Sequence, residues 1–260
     1  MRVLRKYWLP LFLIFDLLFA IYAFRLYITD SLNDGSSVFS IINNKLKATV
    51  TTISDVASTE VSKLTDNKIK LDAPQIQQKP ELPRGCEVTS LAMMLQYAGI
   101  KADKMTLASQ IKKIPYQSNG LYGNPNDGFV GDMYRMNQPG YGVYHKPLAH
   151  LGNRYLSNGI IDLTGQSFES VLDQLRKKIP VVVITNASFK PLPKSAFATW
   201  NTASGRVKIT FHEHAVLVTG FDDENIYFNN PLGKKNESTD RETFIKAWEQ
   251  MGHQAISYQK

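Results

Sequence analysis

The hydrophobic period of this chain changes part-way along, and that change limits the fold more than any other feature. Val88, Leu91, Ala92 and Leu95 recur at helical spacing, and Gly99 supplies a left-handed stop after Ala98. Met105, Leu107, Ala108 and Ile111 predict a second helix over Thr106–Ile114. Phe168, Val171, Leu172 and Leu175 predict a third over Phe168–Lys178. Beyond that point the period shortens. Ile179–Ile184 is a β-branched run, Gly205–Phe211 alternates, and His214–Thr219 and Asn225–Phe228 are further strands, the last two joined by a hairpin connection at Asp222–Asn225. Helices first and antiparallel strands second is an α+β arrangement.

Ahead of the patterned part lie two segments of different character. Met1–Lys6 is basic, and Tyr7–Phe24 is an almost unbroken apolar and aromatic run, interrupted only by Pro10 and Asp16. Such a run just reaches across a hydrocarbon core of about 30 Å, and Arg2, Arg5 and Lys6 before it outweigh Arg25 after it, which places the N-terminus in the cytoplasm. Residues 1–27 are therefore a membrane anchor or a signal segment. The cleavage site a signal peptide needs is poor, because Ala23 has Ile21 two positions before it and bulky residues after it, so an uncleaved anchor is preferred. Asp16 opposes this by a few kcal/mol at the bilayer centre. Residues 28–70 are polar and read as a stalk, with a short amphipathic helix at Ser54–Leu64. Patterned blocks begin at Leu71, so residues 71–260 form the globular domain, outside the cell membrane and tethered to it, or secreted if the segment is cleaved.

A single cysteine rules out a disulfide framework within the chain and a cysteine-rich zinc site, and no metal or cofactor is expected. The formal charge of +7 suits an anionic surface, a membrane or a wall polymer. Basic residues are not clustered with aromatics, so nucleic acid is not an expected partner. The cysteine, Cys86, sits at the start of the first helix, behind Pro83 and Gly85, where free backbone N–H groups and the helix dipole favour thiolate over thiol. A nucleophile there needs a base and an orienting group. His212 and His214 share one face of a strand, with Glu213 and Ala215 on the other. Asn229 and Asn230 end the neighbouring strand, where an amide carbonyl can hold an imidazole in place.

The blocks L-P-R-G-C-E-V-T-S-L-A-M-M-L, G-N-P-N-D-G-F-V-G, H-A-V-L-V-T-G-F-D and N-N-P-L-G together resemble the bacterial cysteine peptidases related to the bacteriocin-leader-processing, double-glycine peptidase domain, within the papain-like group. The resemblance covers about Leu71–Tyr258. It implies a papain-like fold with N-terminal helices packed on a C-terminal antiparallel sheet, and a peptide or protein substrate, cell-wall peptide included. It assigns the nucleophile to Cys86, the general base to His214, the orienting residue to Asn230, where many relatives carry Asp, and the oxyanion-binding glutamine to Gln78, with Gln77 one position away. Of the two histidines only His214 precedes the A-V-L-V run. The reaction implied is acyl transfer through a thioester. The glycine-rich loop Asn119–Gly142, with Tyr122, Phe129 and Tyr134, is expected to wall the substrate cleft, and Trp200 and the P-L-P segment at Pro191 to form its other side. The alternative is a peptide- or wall-binding module of the same fold with weak catalysis or none; a wall hydrolase or amidase differs only in substrate.

Overall fold

A computed structural model describes residues 18–25, 42–55, 68–157 and 159–259. The chain divides into two compact units, Met1–Leu64 and Thr65–Lys260. In the first, residues 18–25 (α1) and 42–55 (α2) are helical. Leu18, Phe19, Tyr22 and Phe24 of α1 are exposed. Among the described residues no helix is long and apolar enough to cross a membrane. Most of the expected anchor, residues 1–17, lies outside the described residues, as does most of the helix expected at Ser54–Leu64.

The second unit is built on a seven-stranded sheet. Its central strands are β7 (Val181–Asn186) and β10 (Glu213–Phe221), flanked by β11 (Asn225–Asn229) and β12 (Glu237–Asp240) on one side and β13 (Ala255–Tyr258) and β6 (Ile160–Asp162) on the other. All neighbours are antiparallel. β1 (Ile69–Lys70) pairs with the far end of β10 at Gly220 and Phe221, so the sheet begins just before the composition boundary at Leu71.

Both faces of this sheet are covered, which is why β7 and β10 read as continuous apolar runs. Val182, Leu217 and Ile256 enter one core with α3 (Cys86–Tyr97), α4 (Lys104–Gln110) and α5 (His145–Asn153). Val181, Val183, Val216 and Val218 enter a second core with α6 (Glu169–Arg176) and α7 (Arg241–Gln250), where Leu172, Leu175, Phe244 and Trp248 are buried. The α+β class holds, but helices and strands interleave along the chain, because α7 and β13 follow the strands and β13 closes the sheet between β7 and β6.

The first helix starts at Cys86 and stops before Gly99, whose φ is +84°, as the spacing predicts. The second departs from expectation. Asp103 caps it by accepting from the Met105 and Thr106 amides, which moves its start earlier. It ends at Gln110 because β2 (Lys113–Ile114) pairs in parallel with β5 (Phe129–Val130). The alternating segment from Gly205 becomes β9 (Gly205–Ile209), which belongs to a separate sheet with β3 (Gln117–Ser118), β4 (Leu121–Tyr122) and β8 (Ala198–Thr202). The expected loop Asn119–Gly142 thus contributes β4, β5 and a bridge between Gly131 and Gly140.

Candidate active site

Cys86 is the first residue of α3. Gly85 precedes it in a turn that a side chain would not fit: a Cβ there would lie 2.5 Å from Leu82 Cβ. Arg84 reaches across to the loop, Nη1 donating to the carbonyls of Asp132 (3.1 Å) and Arg135 (2.7 Å) and Nη2 to that of Met136 (3.3 Å). Further along the helix, Ser90 Oγ donates to the Ala215 carbonyl at 3.2 Å and ties α3 to β10. The helix start is therefore fixed against both the sheet and the loop.

His214 is buried at the start of β10, and its Nε2 lies 2.9 Å from Asn230 Oδ1. The orientation of that amide is determined twice over. Asn230 Nδ2 donates to Glu237 Oε2 at 2.8 Å, and a carboxylate only accepts; Oδ1 receives the Leu232 amide at 3.0 Å. Oδ1 must then accept from His214, which puts the imidazole proton on Nε2 and leaves Nδ1 of the neutral ring as a free base. Burial lowers the His214 pKa, while the Asn230 hydrogen bond and the Glu237 charge raise it. His212 is exposed in the turn before the strand, and Asn229 is occupied by the Ala73 and Pro74 carbonyls, so neither competes for these places.

The surroundings of Cys86 differ from the expectation drawn from its position. Its Sγ lies 3.2 Å from Glu87 Oε2, and among the described residues that carboxylate, not His214, is its side-chain hydrogen-bond partner. Glu87 is fully buried and also accepts the Val143 amide at 2.6 Å. Glu213 completes a cluster in which the Sγ and carboxylate atoms of the three residues lie within 4.8 Å of one another. Burial, then the charges of Glu87 and Glu213, push the thiol pKa well up, against the pull of the Ala215 backbone amide. The helix-terminus effect that favours thiolate is thus outweighed in this resting arrangement. Burial also raises Glu87 to about 7, and burial and the Glu87 charge raise Glu213.

Cys86, His214 and Gln78 line one cleft of about 600 Å³. Gln78 is buried, its Nε2 donating to the Leu82 and Pro83 carbonyls at 3.1 and 3.0 Å, whereas Gln77 is exposed and donates to Gly233 O. Geometry therefore separates the two glutamines. The rest of the lining includes Tyr116, Met136, Tyr141, Phe211, Glu213 and Leu232. The expected aromatic walls are corrected here. Phe129 is fully buried in the core of α3 to α5, because β5 carries it inward. Trp200 is buried behind the cleft, where it packs on Tyr141 (5.2 Å between centroids) and on Phe211 (6.0 Å). Tyr122 stacks on the same indole at 4.5 Å without lining the cleft, and Tyr134 is occupied by the Ala108 carbonyl. The P-L-P segment is bound to α7 through Leu192 and Gln250.

The features missed in the sequence are Glu87, Glu237 and the inward aim of Glu213. For Glu213 a signal exists, since alternation places it on the face of Ala215 and Leu217, which α3 covers.

These features define a class: an α+β protein with a helix-mounted cysteine and a strand-mounted histidine, with its amide partner, gathered at one cleft. Within that class the chain belongs to the Peptidase_C39 like family, whose model matches residues 70–256. It is 52% identical over 182 residues to YvpB of Bacillus subtilis strain 168, a protein called uncharacterized, covering 70% of this chain and 71% of that one. A crystal structure from Bacillus anthracis, named provisionally as a C39-like peptidase, superposes with a TM-score of 0.74 at 53% identity, over 75% of this chain and 98% of the other.

Proposed function

We propose that this chain is a membrane-tethered, extracytoplasmic cysteine peptidase working with Cys86, His214 and Asn230. The observation that carries the reading is the chain Glu237–Asn230–His214, which leaves a base at Nδ1 in the cleft that Cys86 lines. The rim supports a peptide substrate. Phe211, Met136 and Leu232, exposed by 68, 65 and 45%, are the most exposed large apolar side chains of the second unit among the described residues, and all three line this cleft. An extended peptide would cover them.

In the reaction the thiol turns from Glu87 and gives its proton to His214 Nδ1. The thiolate attacks the peptide carbonyl carbon, a C–S bond forms, and the carbonyl π pair moves to oxygen. The Cys86 backbone N–H stabilises that oxyanion, a contribution of about 3 kcal/mol per donor. Gln78 adds a second donor if one Nε2 hydrogen leaves its carbonyl partner. The intermediate collapses with cleavage of the C–N bond, and the leaving amine takes the proton from His214. Water, giving a proton back to Nδ1, attacks the thioester; the carboxylic acid departs and the thiol is restored.

One observation favours the alternative of a binding module: the thiol is held protonated against Glu87. Thiol reactivity separates the two. Under the peptidase reading alkylation of Cys86 by iodoacetamide at neutral pH depends on His214 and is abolished in His214→Ala, and the wild type but not Cys86→Ala cleaves members of a peptide library. Slow alkylation that ignores His214 sinks it. The tether is tested with a C-terminal epitope, which external protease should remove from intact cells.

A further inference from the structure

We propose that Glu213 forms a subsite in this cleft for a positively charged side chain of the peptide, an ammonium or guanidinium of the lysine or arginine kind; this rests on the cleft being a peptide site. Glu213 lines the cleft, and its Oε1 is buried without a hydrogen-bond partner. Glu87, behind it, has its acceptors filled by the Val143 amide and the Cys86 thiol. Neither carboxylate pairs with a Lys or Arg among the described residues.

The fold makes room for both carboxyl groups without placing a Lys or Arg ion pair on either among the described residues. A Cβ on Gly142 would lie 2.5 Å from Glu87 Oε1 and 2.9 Å from Glu213 Oε2, so the position has to be glycine for both carboxylates to sit there. Two buried carboxylates so close repel, and one stays protonated unless a cation arrives. The one lysine or arginine in the lining, Arg84, is engaged elsewhere, with the loop carbonyls. Around Glu213 stand Tyr141 and Phe211, with ring centroids 6.1 Å apart and Phe211 open to solvent. Such rings suit the alkyl stem of a long cationic side chain and attract its charge.

The test uses the full chain and peptides carrying lysine, norleucine or glutamate in turn at each position flanking the scissile bond. At one position lysine is expected to exceed norleucine by at least about tenfold in kcat/KM, and glutamate to be refused. In Glu213→Gln that ratio falls towards one. Binding of the same peptides to Cys86→Ala, followed by anisotropy, should show the same preference. Cleavage and binding without a lysine preference at any position overturn the subsite while leaving the peptidase reading intact. A lysine preference in binding that Glu213→Gln removes, with no cleavage of any peptide, upholds the subsite and overturns the peptidase reading instead. A preference that Glu213→Gln retains overturns the assignment to Glu213.

Discussion

Glu87 is a carboxyl group placed where water cannot reach it, one residue after Cys86, and its titration should be visible in the stability of the whole protein. Its folded pKa of about 7 stands above the ordinary 4.5. The fold therefore favours the protonated form. Stability from this source is complete below about pH 4.5 and is lost as pH rises through 7, a loss of about 3 kcal/mol. Glutamine keeps the Val143 hydrogen bond and cannot ionise. Urea denaturation should show Glu87→Gln gaining on wild type between pH 4.5 and about pH 8; a constant gap would assign the titration elsewhere. Glu237 accepts from Asn230 Nδ2 and is not among the residues that line the cleft. In Glu237→Gln the Asn230 amide loses the charge that orders it, and kcat/KM should fall by about tenfold or more. A merely structural role would leave the imidazole alone. Here the His214 pKa, followed by NMR in a Cys86→Ala background, should fall, because the Glu237 charge raises it.

At the scale of elements, what could be read from the sequence depended on whether a residue's surroundings were local. Cys86 at a helix start, His214 at a strand start and Asn230 after a strand end are all local signals, and the structure places each where its pattern indicates. The meeting of Glu87 with Glu213 joins α3 to β10 across more than a hundred residues, and nothing local announces it. Phe129 misled for a related reason. A glycine-rich segment reads as surface, yet the parallel pairing of β5 with β2 turns this ring inward. The pairing of β1 with β10 is another long-range contact, and it depends on one glycine: a Cβ on Gly220 would fall 2.1 Å from the Ile69 carbonyl oxygen. Gly220→Ala should part the two strands there, at a cost above about 1 kcal/mol. Hydrogen exchange would report it at the Leu71 amide, which donates to Thr219 O at 2.7 Å and should lose protection, while amides of β7 keep theirs.

For the molecule as a whole, the second of the two units holds the cleft that Cys86 and His214 line. The three buried clusters draw their residues from Ile69 to Tyr258, and the cleft lined by Cys86 and His214, with Asn230 hydrogen-bonded to that histidine, lies inside the same range. The family match, residues 70–256, has nearly the same bounds. A polypeptide of this length buries enough apolar surface to fold on its own. We therefore expect residues 65–260, produced without the first unit, to unfold in one transition with a urea midpoint and slope equal to those of the same transition in the full chain. Its Cys86 should alkylate at the full-chain rate, because every group that sets the thiol's environment travels with it. What truncation removes is the basic, apolar N-terminus, so binding to anionic vesicles at low salt should drop sharply. A truncated protein that unfolds earlier or loses thiol reactivity would show that residues 1–64 support the fold, and the proposal that they serve only as a tether would have to be given up.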